Sequence, residues 1–217
     1  WYLMLSSGQV KALQYRIDLD FAPVNQVFYR ASDPVSLKVN VNNVKKLIVR
    51  VFELNTFNYY TRNLKPVDTA INLDGLAATR EQVFNYNERP LRRVERTFGF
   101  PELKQRGVYV VEFIGNGRSS RALISKGNLR VLEDTGSAGH EFRVLDEDNQ
   151  ACREATLWLS GNEYKAGKDG LIVVPFSNRP GRQTMVLRNG GFSALANFFH
   201  QGETYALDAG IYVDREG

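Results

Sequence analysis

Nucleophilic catalysis needs a serine, cysteine or threonine activated by a neighbouring base, and this 217-residue chain offers few stretches of that kind. Gly117-Arg-Ser-Ser-Arg121 begins like a Gly-x-Ser-x-Gly elbow, but Arg121 stands where the closing glycine belongs. Cys152, within Gln150-Ala-Cys-Arg-Glu-Ala155, has no cysteine-protease signature around it and reads as an inert, buried or half-buried apolar residue. As the one cysteine it also excludes an internal disulfide framework and any Cys-rich zinc arrangement. His140 and His200 could converge in space, yet no patterned carboxylate accompanies them, and surface or packing roles are expected. Gly115-Asn-Gly117 follows a strand as a phosphate-binding loop would, but the chain continues as a second strand and the lysine-serine ending is missing. Asp146-Glu-Asp148 has the composition of a calcium loop without its glycine or distant glutamate, leaving weak calcium binding at a module junction as a minor alternative. No catalytic residue, metal or cofactor is therefore assigned.

Binding chemistry is better represented. Arg118, Arg121, Lys126 and Arg130, with the basic run over 89–106, could attract nucleic acid. No RNA-binding motif or aromatic-basic platform accompanies them, and a mixed solvated surface is the preferred reading. Tyr59, Tyr60 and Trp158 could stack on sugar rings, although aromatics in sandwiches more often pack in the core. Tyr59, Tyr60, Arg92, Arg93, Arg96 and Trp158 form the candidate interaction surface.

The elements that must position these residues are strands. Val35-Ser-Leu-Lys-Val-Asn-Val41 alternates apolar and polar at every step, as a strand with one face on a core does. Leu47–Leu54, Val108–Ile114 and the return strand from Arg118 follow. Glu141–Leu145, Ala155–Leu159, Leu171–Pro175, Thr184–Leu187 and Tyr205–Val213 continue the series, separated by Gly, Asn and Asp turn signals. Helix evidence is weak: Ser193–His200 could make two turns, and a helical turn around Leu76 to Phe84 is a second possibility. Between Thr56 and Glu102 the alternation lapses. That is too long for one structureless loop, and about Leu91–Phe100 could be a charged edge strand.

These strands predict an all-β protein with two tandem β-sandwich domains and at most short helices. Residues 1–132 carry 20 Lys and Arg against 11 Asp and Glu, whereas residues 133–217 carry 8 against 13. The balance thus changes from +9 to −5, and the small polar stretch at 131–138 is read as the boundary between domains 1–132 and 133–217. Opposite charges could dock the two. No apolar run approaches the roughly 18 residues of a membrane helix. Because it starts at Trp1 without Met or a basic leader, the chain reads as a fragment or processed product.

Residues 28–54, including Tyr29, Pro34, Leu47, Val49, Arg50, Val51 and Phe52, resemble the opening of a macroglobulin-like domain of the alpha-macroglobulin family. Residues 106–132 resemble the later hairpin of the same domain, and 139–213 resemble a macroglobulin-type or carboxypeptidase-regulatory-like sandwich. The resemblance implies immunoglobulin-like scaffold modules of a larger secreted, periplasmic or cell-surface protein. It also implies, as partners, neighbouring domains of the parent chain and a protease or other protein. The family's thioester motif is absent around Cys152. A glycan-binding or adhesive module is the rival reading.

Overall fold

The computed structural model describes residues 5–90 and 92–203. In chain order, the first half comprises helix α1 (Ser7–Tyr15), β1 (Asp18–Phe21), β2 (Phe28–Tyr29), β3 (Ser36–Asn42), β4 (Lys46–Leu54), helix α2 (Thr56–Asn63), β5 (Arg80–Asn85), β6 (Val94–Gly99), β7 (Gly107–Gly115) and β8 (Arg118–Lys126). The second half is all strand: β9 (Leu129–Gly136), β10 (Gly139–Asp146), β11 (Thr156–Leu159), β12 (Asn162–Lys165), β13 (Ile172–Val174), β14 (Gly181–Asn189) and β15 (Phe192–His200). The expected strand at Tyr205–Val213 lies outside the described residues. No helix among those described is long and apolar enough to cross a membrane.

The strands form two pairs of sheets. The first pairs a three-stranded sheet, β1-β3-β6, with a five-stranded one, β2-β8-β7-β4-β5; the second pairs β13-β10-β9 with β12-β11-β14-β15. Alternation explains the first core: Leu37, Val39 and Val41 of β3 point inward against Leu47, Val49 and Val51 of β4. Val111 and Phe113 of β7 complete that layer, with Phe98 of β6 meeting Phe113 edge to face at 5.0 Å. The second core is built likewise from Phe142, Leu157, Ile172, Met185 and Leu187.

A third apolar layer lies between the pairs. Phe52 and Leu54 of β4 and Val108 and Val110 of β7 point away from the first core and meet Tyr60 of α2 and Val186 of β14. β7 is therefore buried on both faces, which is why its sequence runs almost continuously apolar instead of alternating. β15 behaves similarly. Ser193–His200 is not a helix but part of this strand, paired with β14 from Asn189↔Phe192 to Gly181↔His200. Its apolar residues are divided between two partners, Phe198 facing the second core and Leu195 the layer between.

Two further expectations change. The stretch 131–138 belongs to the β9–β10 hairpin, with eight residues of each strand in register from Leu129↔Asp146 to Gly136↔Gly139. The crossing between the sheet pairs is Gly127-Asn128, directly after β8. The helical turn expected around Leu76–Phe84 does not form, since residues 80–84 belong to β5, and the irregular 56–102 segment holds α2, β5 and the charged edge strand β6.

Candidate interaction surfaces

The six candidate residues divide between two places. Tyr59, Tyr60 and Trp158 come together in the layer between the sheet pairs. Asn55 starts α2 by accepting a hydrogen bond from the Asn58 N–H at 3.0 Å, and Leu64 ends it in the left-handed region, its N–H donating to the Tyr60 carbonyl at 2.8 Å. The helix thereby presents Tyr60, 8% exposed, to the layer. Tyr59 meets its ring edge to face at 5.9 Å. Burial, then the neighbouring Tyr59, pushes the Tyr60 phenol up. Trp158 reaches the same layer from β11, and the Arg188 guanidinium of β14 lies over the Phe57 ring at 4.7 Å. Tyr60 is buried in the layer, and Tyr59 and Trp158 are partly buried against it.

The polar half of this junction joins the last arginine of the 89–106 basic run to the acidic cluster at 146–148, a pairing the sequence did not indicate. Arg106, just before β7, places Nε 3.1 Å from both carboxylate oxygens of Glu147 and donates from Nη2 to Asp146 at 3.0 Å. Glu147 also accepts from the backbone N–H groups of Ala31 at 3.2 Å and Asn128 at 3.3 Å. Burial opposes its ionisation, but hydrogen bonds from its own backbone N–H, Arg106, Asn128 and Ala31 outweigh that, and its carboxyl titrates below the usual range. Asp146 follows the same logic, with N–H donors from Gln150 and Asp148 and the charge of Arg106 overcoming burial. The acidic cluster read as a weak calcium loop is thus engaged by an arginine. Gly127 makes room for it: its φ is +81°, and an added Cβ would fall 2.5 Å from Arg106 Cγ. The opposite charges of the two halves meet here as specific contacts, including Arg30 with Asp148 at 3.5 Å.

Arg92, Arg93 and Arg96 lie on the other pole of the first sheet pair. Arg93 pairs with Asp20 at 3.1 Å. Arg96 pairs with Glu88 and lies over the Tyr86 ring, 3.7 Å from its centroid. Arg92 lines a cleft of about 520 Å³ together with Lys45, Lys46, Tyr86 and Tyr15. Asn43, in the β3–β4 turn, donates to the carbonyls of Gln14 and Arg16, the latter at 2.9 Å, and so fixes the end of α1 beside the cleft.

The remaining reactive types are committed elsewhere. His140 and His200 do converge, ring centroids 5.4 Å apart. His140 is fully buried, with Nδ1 3.0 Å from Glu133 and Nε2 accepting from the Gln201 N–H at 3.0 Å, so it has no lone pair free for a metal. Burial, then Asp146, pushes the Cys152 thiol up, away from the thiolate form a nucleophile needs.

The family described as AbpF first immunoglobulin-like domain matches residues 47–127. Actin-binding protein F of Dictyostelium discoideum is 39% identical over 222 residues, a match that covers 99% of this chain and 9% of that protein. Native alpha-2-macroglobulin from Escherichia coli, in a structure spanning domains MG0-NIE-MG1, is similar at 14% identity and a TM-score of 0.52, over 84% of this chain and 64% of that one. The fold is immunoglobulin-like. The immunoglobulin-like match spans β4 to β8 of the first sheet pair, including α2 and the strand buried on both faces. The macroglobulin resemblance holds at the level of fold. The secreted, periplasmic or cell-surface setting inferred from it is overturned by the 39%-identical relative, which is named for binding actin.

Proposed function

We propose that this chain is a non-catalytic structural and protein-interaction segment of a larger actin-associated protein. It comprises two immunoglobulin-like modules that meet at Gly127-Asn128 and are held as one rigid body. The observation that carries this reading is the junction, where an apolar layer and the Arg106 contacts with Asp146 and Glu147 commit the aromatics and acidic residues to intramolecular packing. Such a junction fixes the angle between modules, which is what a spacer in a long chain requires. The actin setting is supported by identity along nearly the whole chain to actin-binding protein F, of which the chain spans 9% of the length. Arg92, Arg93 and Arg96 remain the residues proposed to face a protein partner, and Tyr59, Tyr60 and Trp158 are assigned to module docking. The macroglobulin likeness supports the sandwich architecture and no protease-trapping role. Co-sedimentation of the 217-residue chain with actin filaments tests the setting: saturable pelleting is expected. A folded chain left in the supernatant at every filament concentration would remove direct actin contact from this segment.

A further inference from the structure

The two sheets of the first module end on the same side in edge strands. β5 is the outer strand of the five-stranded sheet and β6 of the three-stranded one, and neither has a partner on its free edge among the described residues. They approach each other through Phe84 and Phe98, whose rings meet edge to face at 5.2 Å. A free edge presents a row of backbone N–H and C=O groups, a template for one more strand.

Two openings lie on this side of the module, one between the edges and one beyond their end. The first, about 470 Å³, is walled by Gln82, Val83 and Phe84 of β5 and by Thr97, Phe98 and Gly99 of β6. The second is the cleft of about 520 Å³ at the free pole. Tyr86 joins them: its ring stacks on Phe84 with centroids 6.4 Å apart, and its N–H donates to the Lys45 carbonyl at 2.8 Å, carrying the extended backbone of β5 past both openings. Phe84 and Phe98 stand at one end of this side and a cluster of cations at the other. Lys45, Lys46 and Arg92 line the cationic end, and none of them enters an ion pair among the described residues.

We propose that this open side binds an extended peptide of a partner protein as an added strand along β5. An apolar side chain enters the slot at Phe84 and Phe98, and carboxylates lie at Lys45, Lys46 and Arg92. Six residues of β5 span about 20 Å, enough to hold a peptide of similar length. A nucleic-acid strand fits less well: it would find cations at one end only, with Glu88 among them, and the Tyr86 ring is already occupied by Arg96 and Phe84. The proposal holds whether or not the chain contacts actin.

The probe is a fluorescein-labelled decapeptide of alternating threonine and valine ending in four glutamates, with a second peptide carrying the glutamates first. Each is titrated with the 217-residue chain by anisotropy. One of the two is expected to saturate, with binding weakened about tenfold or more by K45E/K46E/R92E and by replacing the peptide valines with serine. Hydrogen exchange should slow in residues 80–86 on peptide addition and stay unchanged in the edge strand β13. The proposal is overturned if neither peptide binds at about 1 mM, if residues 80–86 gain no protection, or if the triple variant binds as tightly as the parent chain. It is equally overturned if the serine peptide or an oligothymidylate binds as tightly as the valine peptide, since simple anion attraction would then account for the cleft.

Discussion

Arg106 and Glu147 meet across the junction of the two modules, with the arginine Nε 3.1 Å from each carboxylate oxygen. The glutamate side chain is only 8% exposed, whereas the arginine is 32% exposed. The weight of the contact therefore falls on the carboxylate, which would be left buried without a counter-charge if the arginine were removed.

Arg106→Ala should lower unfolding free energy by about 2 kcal/mol, less than the roughly 3–5 kcal/mol for breaking a fully buried pair, because the arginine is partly solvated. Urea titration measures it. Arg106→Lys should recover only part, because an ammonium cannot reproduce a guanidinium's simultaneous contacts with Glu147 and Asp146. Full recovery with lysine would show that charge alone matters.

Acid should weaken this junction. Asp146 and Glu147 have folded-state pKa values below their ordinary ones, so their stabilisation is complete above about pH 4–5 and is lost as pH falls through the folded values. A melting series from neutral to acidic pH should show a fall in Tm that is shallower in D146N/E147Q. Identical acid limbs in parent and variant would assign the transition to other carboxylates.

Gly127→Ala should destabilise by about 1–2 kcal/mol from the left-handed backbone. It should cost more because the new methyl would displace the Arg106 chain, 2.5 Å away. The same contact predicts non-additivity: in the Arg106→Ala background the glycine substitution should lose much of its effect, which a double-mutant cycle measures. Additive losses would mean that backbone strain is the whole effect.

His140→Phe keeps an aromatic ring among Phe142, Phe176 and Phe198 but removes the acceptor for the Gln201 N–H. A loss of about 1–3 kcal/mol is expected from the orphaned donor. Faster hydrogen exchange confined to Gln201 and its neighbours would mark that loss; unchanged exchange there would contradict it.

Much of the strand order was legible because β3 and β4 alternate against a single core. What escaped has physical causes. Ser193–His200 looks helical because apolar residues stand on both faces of β15, one for each apolar layer it touches. The stretch 131–138 looks like a linker because β9 is an edge strand whose residues from Arg130 to Thr135 are largely solvated. Helix α2, rich in Asn, Thr and aromatic residues, has weak intrinsic propensity and is held by the junction. Of the candidate surface, the arginines on β6 and the preceding turn were visible as a charged run. Arg106 was visible only as the end of that basic run, and its pairing carried no local signal, since its partners lie 40 and 41 residues away.

The two-sided burial of β7 also sets the unit in which this chain can be cut or inherited. Ending it after Gly127 would strip Val186, Leu195 and Trp158 from the apolar layer that Phe52, Leu54, Val108 and Val110 share with α2, and thin the cover over that sheet face. The first module is thus folded through its own sheets yet shares its outer apolar layer with the second. The pair keeps that shared layer whole when it is transplanted, duplicated or expressed as one piece.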